Sequence, residues 1–206
     1  MSAHGSGHAE TEAAANELCA SLSAAWSYLH LLEGMHEGAK ANPQVEAQFP
    51  RVLHQLYRAA FDALFAKMGT ILDRTKGTKS LPSFVTLVTR HFKCHLADEL
   101  CEVNSKLARD SGSFTKIRAW RHEAVAHRVE PGGAEAFYAK NRMRLPEVRA
   151  ALAEIERLFN LLTVSSLGIH NETESGTAEI ESEARRLLSS LASSLAASTA
   201  PSAGVA

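Results

Sequence analysis

Between Leu53 and Leu72, apolar side chains recur at three- and four-residue steps: Leu53, Leu56, Tyr57, Ala60, Phe61, Leu64, Phe65, Met68, Ile71 and Leu72. On a helix of 3.6 residues per turn they form one continuous stripe. Each such side chain contributes roughly 1.5–3 kcal/mol when buried, so the chain must supply other elements to cover the stripe. Leu18, Leu22, Ala25, Trp26, Leu29 and Leu32 repeat the same step from about Glu12. So do Leu87, Val88, Phe92, Leu96, Leu100, Val103 and Leu107, and later Val148, Leu152, Ile155, Leu158, Phe159, Leu162 and Ile169. No alternating strand pattern and no internal repeat interrupts them. The expected fold is all-α, an up-and-down helical bundle of four to five main helices without a sheet. The aromatics in the 53–72 stripe invite a cofactor-box reading, but core packing explains them, and no cofactor is expected.

Local punctuation divides the chain. Gly34, Gly38 and Asn42-Pro43 are expected to end the first helix. Ser80 followed by Pro82 suits a helix start, as does Pro146, and Ser113 is expected to cap the helix after it. Glu130-Pro131-Gly132-Gly133 reads as a terminator. The expected organisation is a disordered leader at 1–11, a helical bundle at 12–170 and a tail at 171–206. That tail is acidic, then Ser/Ala-rich, with one short helix around Leu187, Leu188, Leu191 and Leu195. His30 and His36, singly placed, read as surface residues.

Composition excludes several classes. The 206 residues carry a formal net charge of −1, so no overall field draws the molecule to nucleic acid or membrane. No apolar run reaches the roughly 18–20 residues that span a bilayer, and Met1 to Glu12 lacks the apolar centre of a signal peptide. Cys19, Cys94 and Cys101 have neither disulfide-framework nor zinc-knuckle spacing. A cytoplasmic, reduced protein is expected.

Charge is nevertheless uneven. From Lys116 to Arg149 eight Lys/Arg stand against four Glu. The densest stretch is Lys116-Ile117-Arg118-Ala119-Trp120-Arg121-His122-Glu123-Ala124-Val125-Ala126-His127-Arg128. With Ile117, Ala124 and Val125 marking the apolar side of a helix, Arg121 points toward packed surface, while Arg118 and Arg128 can reach water. A guanidinium keeps its proton, so a partly buried one needs an anion: a carboxylate of its own fold, or a ligand phosphate. Arg121 and His127 are six positions apart, about 600° of rotation and about 9 Å of rise on an ideal helix. They do not share a face unless the helix loosens at its end or a second copy, packed about a two-fold axis, completes the site.

A metal face is the other constellation. His91 and His95 stand at i and i+4 with Glu99 one turn further, a spacing that can hold metal. The zinc-protease pattern places Glu directly after the first His, and here Phe92 stands there. No metal is therefore expected; His91, His95 and Glu99 are the residues that would take one.

Arg121-His122-x4-His127 resembles the Arg-polar-x(4–6)-His signature of the HEPN superfamily (higher eukaryote and prokaryote nucleotide-binding domains), which favours Asn, Asp or His after the Arg. Ala126-His127-Arg128 is similar to an ending common there. Upstream, Arg58-Ala59-Ala60-Phe61-Asp62, then Ile71-Leu72-Asp73, then Lys79-Ser80-Leu81 resembles the AbiU-type, abortive-infection branch. The resemblance covers roughly residues 15–168. It implies a metal-independent endoribonuclease, a toxin or antiphage effector, dimeric with a composite site and restrained by an antitoxin partner. His127 would be the acid/base for 2′-hydroxyl attack, with Arg121 on the phosphate and His122 orienting the site or sharing proton transfer. Lys116, Arg118 and Arg128 would track the RNA backbone. Family toxins silenced by nucleotidylation carry Tyr two residues after the His; Val129 stands there, so that control is not implied. The alternative is a non-catalytic HEPN bundle that binds nucleotide, RNA or a protein partner.

Overall fold

The computed structural model describes residues 3–108, 112–125 and 134–199, and every regular element among them is helical. Helix α1 (Ala3–Ala41) is 39 residues long, about 58 Å of rise. Its Leu18, Leu22, Ala25, Trp26, Leu29 and Leu32 are all buried, as the spacing requires. Short α2 (Pro43–Gln48) leads into α3 (Pro50–Ile71), and a proline opens each. There φ is already helical and no N–H is lost from the ladder. Then come α4 (Leu81–Phe92), α5 (Ala97–Ala108) and α6 (Ser113–Ala119), which passes directly into a π-helical turn (Trp120–Val125). Helices α7 (Ala134–Asn141) and α8 (Leu145–Leu167), a 3-10 turn (Ser175–Thr177) and α9 (Glu179–Thr199) complete the order. The long helix α1 is the spine: α3, α8 and α9 all pack along it.

Several boundaries follow from local chemistry. Ser80 Oγ accepts from the Ser83 N–H at 3.4 Å and caps α4. At α8, Glu147 Oε2 accepts the Arg144 backbone N–H at 2.7 Å, and Gly168 (φ +70°) closes the other end in the left-handed conformation that suits glycine.

Other expectations are corrected. The leader is not disordered over its described part: residues 3–11 belong to α1, and buried Thr11 donates to the Gly7 carbonyl at 2.7 Å. Helix α1 runs through Gly34 and Gly38, which serve close packing instead. A Cβ on Gly34 would lie 2.4 Å from the Glu181 carbonyl oxygen, and one on Gly38 would lie 2.8 Å from Leu188 Cδ1. The helix stops at Asn42, whose side chain donates to the Gly38 carbonyl at 2.8 Å just before Pro43. The single third helix is two, α4 and α5, broken between Phe92 and Ala97. Gly112 (φ +103°), not Ser113, caps α6. His30 is buried, at 2% exposure. The expected terminator at Glu130–Gly133 lies outside the described residues.

The largest correction concerns the tail. Residues 179–199 form a 21-residue helix, α9, seated on α1 beside the two glycines. Its Ala184, Leu188 and Ala192 join Met35, Ala39, Val45 and Leu53 in a second core cluster next to the main one. The same side of the bundle leaves Phe49, Val52, Leu56, Leu187 and Leu191 between 38% and 62% exposed, so Leu56 does not belong to the buried stripe. No helix among the described residues is long and apolar enough to cross a membrane.

If α9 is part of the core, Leu188→Ala should cost about 2–4 kcal/mol. Leu187→Ala, at an exposed position, should stay within about 0.5 kcal/mol. Urea unfolding of both variants measures this; a dangling tail would leave both silent.

Candidate functional site at the π turn

One face of α3 makes the seat for this site. Phe61, Phe65 and Gly69 recur every four residues, so they stack along one side, and Asp73 continues the spacing just past the helix end. Phe61 and Phe65 receive the ring of Trp120, with centroids 5.0 and 5.2 Å away. Phe137 of α7 closes the ring's other side at 5.1 Å. The buried indole N–H donates to the Asn141 carbonyl at 2.8 Å. A polar group withdrawn from water is thereby satisfied, and the first residue of the π turn is fixed.

Arg121, the next residue, lies across Gly69. A Cβ on Gly69 would sit 2.5 Å from Arg121 Cβ and 2.6 Å from its Cδ, so only glycine lets the arginine stem cross there. The Arg121 Nη1 group donates to the Gly69 carbonyl at 3.2 Å and to Asp73 Oδ2 at 2.5 Å. The arginine side chain is 28% exposed and the aspartate 8%. Burial by itself would raise the Asp73 pKa, but hydrogen bonds from the Thr75 backbone N–H and from Arg121 outweigh it and hold the carboxyl at about 2. The pair is therefore ionised at neutral pH. The remaining guanidinium N–H groups bond to no other described residue, and they are the ones an incoming anion can use.

The π turn changes the geometry expected from sequence. Its i→i+5 hydrogen bonds widen the helix and change the rotation per residue, so the phase of an α-helix does not carry past Trp120. His122 is exposed beside inward-turned Arg121. His127 and Arg128 lie outside the described residues. Lys116 donates to the Arg142 carbonyl at 3.1 Å, and Arg118 Nη2 donates to Thr115 Oγ1 at 3.4 Å. Both sit on α6 within a turn or two of Arg121.

The His91, His95 and Glu99 face is not formed. His91 lies at the end of α4, 3.3 Å from Glu10; His95 falls in the break; Glu99 begins α5 and accepts from Ser165 at 3.2 Å. Among the described residues a different group has ligand-like spacing: His30, Glu33 and Glu181 bring one atom each within 4.8 Å of one another. A cation of the fold already serves it. Arg149 donates to Glu33 at 2.5 Å and pairs with Glu174, while its Nη2 stands 3.5 Å from His30 Nδ1.

The comparisons with known proteins bear on this frame. The HEPN_AbiU2 family model, described as AbiU2, matches residues 8–197. The chain belongs to the HEPN_AbiU2 family. Searches of curated proteins and of solved structures returned no match. The family match runs past residue 170 through most of α9, so the domain includes the helix read from sequence as a tail. It makes the chain an HEPN domain of abortive-infection type, and the all-helical bundle agrees with that.

Gly69 and Asp73 were not singled out as site residues by sequence. Gly69 carried a signal: a glycine inside a strong helical stripe costs up to about 1 kcal/mol against alanine and usually marks a close approach. Asp73 sits at the end of the stretch that carries the resemblance, 48 residues from its partner, and no local spacing ties the two together.

Asp73→Asn and Gly69→Ala should each destabilise the protein by about 1–3 kcal/mol, the first by leaving a guanidinium half paired, the second by overpacking. The Asp73 carboxyl titrates below its unfolded value. Its stabilisation, at most about 2 kcal/mol, is therefore complete above pH ~4 and lost as pH falls toward 2. Denaturant unfolding from pH 2 to 7 should show wild type losing this margin on acidification and Asp73→Asn not.

Proposed function

We propose that this HEPN domain is a metal-independent endoribonuclease, an antiphage or toxin-type effector that cuts single-stranded or looped RNA. The observation that carries the reading is a guanidinium locked in place by Asp73 and Gly69, with part of its hydrogen-bonding fork left over. A cation held this way need not reorganise as charge grows on a phosphate in the transition state. In the step proposed, the RNA 2′-oxygen attacks the adjacent phosphorus and the bond to the 5′-oxygen breaks. His127 serves as acid/base, removing the 2′-hydroxyl proton or protonating the leaving oxygen. Arg121 holds the non-bridging oxygens, and exposed His122 orients the site or shares the proton. The products are a 2′,3′-cyclic phosphate and a free 5′-hydroxyl. Lys116, Arg118 and Arg128 supply positive charge along the RNA backbone.

A second copy of the chain, packed about a two-fold axis, completes the site in this reading, so the working protein is a homodimer. An antitoxin partner would restrain it in the cytoplasm.

The Asp73–Arg121 pair also supports a second reading. A carboxylate only 8% exposed, 2.5 Å from the guanidinium, is what a purely structural ion pair would look like. Under that reading the domain binds nucleotide, RNA or a protein partner without cutting.

Labelled RNA incubated with the full chain in excess EDTA separates the two. The nuclease leaves cyclic phosphate ends, and Arg121→Ala and His127→Ala each lower the rate by at least about 100-fold. RNA binding without cleavage, lost only when several basic residues are removed together, establishes the second reading. EDTA-sensitive cleavage that survives both substitutions sinks the first.

A further inference from the structure

Beside the π turn a cavity of about 420 Å³ opens onto the other end of the same α3 face. Apolar Phe61, Trp120 and Leu145 line it beside polar His54, Tyr57, Arg58 and Asp62. That size and pairing suit a planar ligand that stacks on its faces and hydrogen-bonds at its edge. Phe61 and Trp120 meet edge to face at 76°, so the half-buried Phe61 ring lies at a steep angle to the indole and helps shape the cavity.

The polar lining narrows the ligand. Asp62 is 44% exposed at its side chain and lies 3.8 Å from Arg58 Nε, beyond hydrogen-bond range. The two form a loose ion pair without a hydrogen bond between them, so the donors and acceptors of both stay open to a ligand. Partial burial raises the Asp62 pKa, against the opposing pull of Arg58. An anion desolvated in this way gains from N–H donors brought to it. A carboxylate offers two acceptor oxygens side by side and no donor. Among the bases, guanine presents two adjacent N–H donors, N1–H and the N2 amino group, on its Watson–Crick edge. Adenine and cytosine present a single amino group there, and uracil a single ring N–H. Bases unstacked from single-stranded RNA are read through these edges and stacked on aromatic side chains.

Trp120 and Arg121 are consecutive, and the guanidinium is anchored at Asp73, eleven residues past Asp62 and so about 16 Å along the α3 axis. A strand with a phosphate at Arg121 thus reaches the cavity two or three nucleotides away. From this juxtaposition, and resting on the RNA reading above, we infer that the cavity is a base-recognition subsite for a guanine two or three nucleotides from the phosphate held by Arg121. Phe61 and Tyr57 provide the stacking surface, Asp62 accepts the guanine edge, and Arg58 neutralises the nucleotide's own phosphate.

Calorimetric titration of the full chain with GMP, AMP, CMP and UMP tests this without relying on cleavage. Wild type should bind GMP at least about ten-fold more tightly than the other three. Asp62→Asn should erase that preference, and Phe61→Leu should weaken all four together. Equal affinities in wild type, or a GMP preference that survives Asp62→Asn, would overturn the inference, and the wild-type comparison needs no variant to fold. Mapping the cut sites in a mixed RNA pool separates this subsite from the nuclease reading. Cuts without guanine nearby reject the subsite and leave the nuclease standing. GMP-selective binding with no cleavage keeps the subsite and rejects the nuclease.

Discussion

Arg121 is held by two features at the end of α3: the missing side chain at Gly69 and, just past the helix, the carboxylate at Asp73. Most of the described fold around it can be understood as making that placement hold. Arginine cannot lose its charge, so burying part of it demands an anion, and Asp73 supplies one whose carboxyl is held at about 2. The carboxylate in turn is paired only if α6 and the π turn lie against α3. Trp120, wedged among Phe61, Phe65 and Phe137, provides that docking force through apolar contact. Charge and packing therefore depend on one another here.

The π turn is where this dependence is visible in the backbone. An α-helix continuing from α6 would present its side chains at a fixed phase. Widening at Trp120 alters that phase where an aromatic must go into the core and its neighbour must lie across a glycine. Such turns are uncommon and concentrate at functional sites. The scaffold thus devotes a partly buried ion pair, a helical glycine and a π turn to placing one arginine.

Legibility from sequence divides along physical lines. The faces of α1 and α3 were readable because burial imposes a period on adjacent residues: Leu18 through Leu32 and Leu64 through Leu72 fall where the stripe puts them. Ser80 and Pro146 were readable because capping and proline act within a turn. Gly34 and Gly38 were misread as stops, because a glycine that breaks a helix and one that admits a neighbour look alike in one dimension. The neighbour, α9, lies about 150 residues further along the chain. The same blindness hid the seating of α9: a short helix around Leu187 to Leu195 was legible, but not its full length or the meeting of its Leu188 stripe with α1. His30 looked like a surface residue and is buried among Trp26, Glu181 and Arg149 for the same reason. At the site, the arginine's need for an anion was legible; the identity of that anion was not.

What remains central is whether the held arginine acts on a phosphate or only braces the fold. A double-mutant cycle across Arg121→Ala and Asp73→Ala addresses it, reading both unfolding free energy and RNA cleavage rate in EDTA. If Asp73 acts by holding a phosphate-binding arginine, Asp73→Ala slows cleavage in the wild-type background and has no further effect on cleavage once Arg121 is gone. A cycle in which the pair is coupled in stability while cleavage is untouched by either substitution would contradict the account.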